Sequence, residues 1–61
     1  MWQVVYIANS QPEADRIIQA LEKEFISPRT SSMGRMVQIM VTESEVDDAA
    51  EIIREFLAGR E

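Results

Sequence analysis

The sequence predicts an α+β fold: a two-layer sandwich of order β-α-β-β-α, with three antiparallel strands in the order 1-3-2 and two helices on one face. Three observations predict it. Two short segments are rich in β-branched and aromatic residues. Two longer ones repeat apolar residues at helical spacing behind capping signals. A chain of 61 residues has room for one domain only, covering 1–61.

Trp2-Gln3-Val4-Val5-Tyr6-Ile7-Ala8 reads as the first strand. Ser10 and Glu13 then form a capping-box pattern, and Pro12 falls in the first turn, where a missing N–H costs nothing. Ala14, Ile17, Ile18, Leu21 and Phe25 recur at helical spacing and predict the apolar stripe of the first helix. Pro28 excludes a helix interior and belongs on a sheet edge, so Ile26–Ser31 is expected to be a short, irregular edge strand. Ser32-Met33-Gly34 is expected to turn the chain into the third strand, Met36–Val41. Thr42 and Glu45 repeat the capping-box pattern, and Val46, Ala49, Ala50, Ile53, Phe56 and Leu57 line the second helix. Gly59 is the expected stop.

Alternation sorts the strand residues onto two faces. Val5 and Ile7, with Val37, Ile39 and Val41, are expected to meet the helices. Trp2, Val4 and Tyr6, with Met36, Gln38 and Met40, are left on the other side. A solvated face should be polar at alternate positions, and this one is not. The first strand is also an apolar edge without guarding lysine or proline. A chain near 60 residues buries only about 60% of its unfolded surface, and with no cysteine it has no disulfide to help. These points predict a homodimer or larger homo-oligomer that buries an interface of Trp2, Val4, Tyr6, Met36 and Met40. The competing expectation is that the segment 26–34 folds over that face.

Val4–Ala8, Glu13-Ala14, Leu21-Glu22-Lys23-Glu24 and the run from Gln38-Ile39-Met40-Val41 into Glu43-Ser44-Glu45-Val46 resemble a family of small uncharacterised bacterial proteins labelled as signal-transducing. The resemblance covers nearly the whole chain. It implies a ferredoxin-like or ACT-like unit lacking the last strand, and it brings no catalytic residues. Two features depart from the family pattern. Phe25 stands where the family usually ends its first helix with glycine, and Ser27–Ser31 is shorter than the usual second strand.

Composition narrows the chemistry. There is no histidine and no cysteine, which removes imidazole acid–base catalysis, thiol nucleophiles and most zinc sites. Some relatives carry the name glutamate decarboxylase, but the only lysine, Lys23, lies between Glu22 and Glu24. Those carboxylates favour its charged form, contrary to the need of a Schiff-base amine. No enzyme activity, cofactor or metal is expected. Glu43, Glu45, Asp47 and Asp48 are explained by the positive end of a helix dipole.

A net charge of -5 and scattered arginines disfavour nucleic acid, and no apolar run approaches the roughly 20 residues of a membrane span. A cytoplasmic location is expected. Asn9 and Ser10, at a strand-to-helix junction, and Arg29 and Arg35, in the hydroxyl-rich hairpin, are the candidate contacts for a small ligand. The functional expectation is therefore a non-catalytic interaction or regulatory module that self-associates. Its alternative is an ACT-like sensor holding a metabolite at a subunit boundary.

Overall fold

The structure is a computed structural model and describes residues 1–59. Its elements are strand β1 (Trp2–Ala8), helix α1 (Gln11–Lys23), strands β2 (Arg29–Met33) and β3 (Met36–Thr42), a single 3-10 turn (Glu43–Glu45) and helix α2 (Val46–Gly59). The sheet is antiparallel throughout, with β3 central between β1 and β2. The expected β-α-β-β-α arrangement and its 1-3-2 strand order are both present. The described chain is a slab, 31 × 28 × 15 Å in principal extents, the thin dimension of one sheet backed by one layer of helices.

The core lies between those layers. Val37, Ile39 and Val41 of β3 project into it with Ala8, meeting Ala14, Ile17 and Leu21 of α1 and Ala49 and Ile53 of α2. Three of these buried residues are alanines, so the interior is small even for the chain length. No helix among the described residues is long and apolar enough to cross a membrane.

Four local expectations need correction. First, α1 ends at Lys23, and Phe25 leaves the apolar stripe to stand 93% exposed with φ 65°. The Phe25 N–H donates to the Glu22 carbonyl and the Ile26 N–H to the Leu21 carbonyl, each at 3.0 Å. This is a Schellman cap, whose left-handed residue is usually glycine. Second, Ile26 is not in a strand. It turns inward as the apolar residue after the cap, 5% exposed against the buried Leu21.

Third, β2 begins only at Arg29, and the turn is Gly34-Arg35 rather than Ser32–Gly34. Met33 pairs with Met36 across it, and Gly34 at φ 64° occupies the first turn position, as a type II′ hairpin requires. Fourth, Thr42 does not cap through its side chain. Its hydroxyl donates to Glu45 Oε1 at 3.0 Å, while the Glu43 N–H donates to the Met1 carbonyl at 2.9 Å. The 3-10 turn therefore stands between Thr42 and α2. Helix α2 runs through Gly59, the last described residue.

Candidate functional site

The sheet face turned away from the helices is the main candidate, and a β-bulge decides which side chains reach it. Val4 pairs with Met40 and Tyr6 with Ile39, so Val5 is the extra residue of β1. Beyond the bulge the alternation is inverted. Tyr6 and Ala8 join Ile39 and Val37 on the helix side, while Ile7, paired with Gln38, emerges on the open face. The expected placement of Tyr6 on the open face and Ile7 in the core is thus reversed. Val5 does pack against the core, as expected, because the bulge turns two successive residues inward.

The open face carries Trp2, Val4 and Ile7 from β1, Met36, Gln38 and Met40 from β3, and Arg29, Ser31 and Met33 from β2. Trp2 is 38% exposed, Val4 47%, Ile7 41%, Met33 46% and Met36 41%, which makes a connected apolar patch. The guanidinium of Arg29 lies over the Trp2 ring, 4.4 Å from its centroid, a cation–π contact across the sheet. Segment 26–34 does not fold over the face. Its second half extends the sheet, and Arg29 alone reaches across to Trp2. Sequence reasoning missed Ile7 because a bulge leaves no compositional mark. It missed Met33 because Ser32-Met33-Gly34 reads as the turn, whereas Met33 is the last residue of β2.

Tyr6 acquires a different task. Its hydroxyl donates to Glu13 Oε2 at 2.9 Å, and the other carboxylate oxygen accepts the Asn9 N–H at 2.9 Å. Ser10 Oγ accepts the Glu13 N–H at 3.3 Å. One carboxylate thereby ties β1, the β1–α1 junction and the first turn of α1 together. The hydrogen bond to Glu13, burial and the nearby carboxylate charge all push the Tyr6 phenol above its ordinary 10.0.

The candidate ligand contacts are divided. Asn9, Ser10 and Arg35 share an open depression of about 400 Å³ with Gln11, Ser32, Gly34 and Val37. Arg29 is not there, being held over Trp2 on the open face. The Asn9 N–H already donates to the Glu13 carboxylate, with which an incoming anion would compete, while the Ser10 hydroxyl oxygen accepts the Glu13 N–H. A second depression, about 490 Å³, runs between the end of α1 and α2, with Phe25, Ile26 and Ile52 among Glu24, Glu45, Asp48, Glu51 and Glu55. Among the described residues, no three acidic side chains converge closely enough to hold a metal ion. No family model, curated protein or solved structure matches this chain significantly.

Proposed function

We propose that this protein is a small non-catalytic interaction or regulatory module, of the signal-transducing kind its sequence resembles, that acts through self-association. The observation carrying this reading is the open sheet face, where Trp2, Val4, Ile7, Met33 and Met36 stay between one third and one half exposed. Aromatic and methionine side chains are enriched in protein interfaces and dispensable on a solvated sheet. A core of ten buried apolar residues, several of them alanine, gives self-association a thermodynamic motive as well. Sedimentation equilibrium at micromolar concentration tests it. A mass of at least twice 7.0 kDa is expected, with blue-shifted Trp2 emission that moves to the red on dilution. A 7.0 kDa species with concentration-independent emission refutes it.

A ligand-sensing module is the second reading, favoured by the depression that gathers Asn9, Ser10 and Arg35. A thermal-shift panel of amino acids, nucleotides and divalent ions separates the two. Binding to the folded state raises the melting temperature by mass action, so an unmoved transition across the panel counts against the sensor.

A further inference from the structure

We infer that the partner covering the open face is a second copy of this chain, packed sheet face to sheet face rather than joined through strand edges. The inference rests on the self-association reading and specifies its geometry. Three features of the structure carry it.

The edges are poor templates for pairing. β1 has its ladder interrupted at Val5 in mid-strand, and a bulge twists an edge out of line with an incoming strand. β2 is five residues long, has no buried residue, and reads Arg-Thr-Ser-Ser-Met. Neither offers the long, flat, apolar edge on which strand addition depends.

The face, in contrast, has enough area. Its five most exposed apolar side chains present roughly 400 Å² in one copy, within the range of the largest patch on an ordinary monomer. Two copies stacked through it would cover about 800 Å² from these residues alone. The intervening Arg29, Ser31, Gln38 and Met40 bring the total past the ~1,000 Å² that separates a specific interface from a chance contact. Flat sheet faces stack at about 10 Å with their side chains interleaved, and methionine adapts to such packing.

Charge selects the same surface and the same partner. Two molecules of net charge -5 repel each other through most approaches. Yet every carboxylate side chain among the described residues lies on α1, its cap, the 3-10 turn or α2, and none lies on a strand. The open face carries one charged side chain, Arg29, laid flat on Trp2, where guanidinium groups are well tolerated at interfaces. Stacking through the sheets therefore holds the two acidic helix layers on opposite outer sides of the dimer. A basic macromolecular partner would be drawn to the helices instead.

The test combines a variant with an exchange measurement on the unaltered protein. Gln38 sits at the middle of the central strand, between Ile7 and Ser31, with its side chain on the open face and its backbone enclosed by both neighbours. Gln38→Glu is nearly isosteric and cannot disturb pairing at either edge. With far-UV circular dichroism unchanged, it is expected to raise the dimer dissociation constant at least fivefold, because each copy brings a carboxylate into the stacked face. Hydrogen exchange of the native dimer is expected to leave the outward-facing β1 amides as fast as in the diluted monomer.

A dissociation constant that changes less than fivefold, or outward β1 amides that become protected on dimerisation, overturns face packing. Either result leaves self-association standing. A native protein that remains monomeric overturns both.

Discussion

Replacing Phe25 with glycine should make this protein more stable, although it deletes the largest side chain near the end of α1. The residue sits at φ 65°, and it is the only non-glycine residue at positive φ among those described. Holding an L-residue in the left-handed region costs about 1–2 kcal/mol. Glycine removes that cost but loses about 0.5–1 kcal/mol through the greater freedom of its unfolded chain. The ring is 93% exposed, so almost no packing is lost with it. The difference is a net stabilisation of about 0.5–1 kcal/mol. For a domain of this size that is a rise of roughly 2–8 °C in melting temperature, or ~0.5–1 M in the urea midpoint at a slope near 1 kcal/mol per M. Native and variant chains must be compared at one protein concentration, because the proposed self-association would contribute to apparent stability. Phe25→Ala is the control. It keeps the unfavourable φ and should fall within about 0.5 kcal/mol of the native chain. A Phe25→Gly midpoint equal to or below the native value would refute the reasoning and show that the ring is engaged with something that offsets its backbone strain.

Ser10→Ala should cost about 1 kcal/mol in chemical denaturation, since it leaves the Glu13 N–H without its 3.3 Å side-chain acceptor. Thr42→Ala should cost clearly less than Ser10→Ala, because the Thr42 hydroxyl caps no backbone N–H; equal costs would mean that the 3-10 turn is misplaced. Gly34→Ala should destabilise by about 1 kcal/mol through φ 64° alone, as an added Cβ meets nothing within 4 Å, and an unchanged midpoint would contradict the type II′ turn. The Tyr6 phenol is raised above 10.0 in the folded state, so its stabilising contribution is complete below pH 10 and disappears as pH rises through the raised value. Alkaline denaturation should therefore be less steep in Tyr6→Phe, and tyrosinate absorbance follows Tyr6 alone because it is the only tyrosine.

Local chemistry made most of the fold legible. Both helices announced themselves by apolar spacing, and Ser10 with Glu13 marked the start of α1 through a contact that the structure contains. β3 was equally plain, because its alternating Val37, Ile39 and Val41 can face only one way in a half-buried strand. The errors cluster where geometry is free to break period. Phe25 continued the helical spacing, but the helix had already closed two residues earlier, and a Schellman cap can be made by the backbone without glycine. In the hairpin, Pro28 suggests a strand at its own position, whereas β2 starts after it and Gly34 opens the turn rather than closing it.

The bulge at Val5 had the largest effect on the candidate site, and it links two features that look unrelated in the sequence. In a regular strand, Tyr6 would stand beside Val4 on the open face and Ile7 would point at the helices. The extra residue turns Tyr6 inward, where its hydroxyl reaches the same Glu13 carboxylate that holds the Asn9 N–H at the head of α1. It also turns Ile7 outward beside Gln38, giving the open face an aliphatic side chain in place of a phenol. The same irregularity interrupts β1 as an edge for another strand. One inserted residue therefore anchors the first helix, makes the exposed sheet face more apolar and weakens the edge beside it, and the last two effects are the ones on which the proposed face-to-face packing rests.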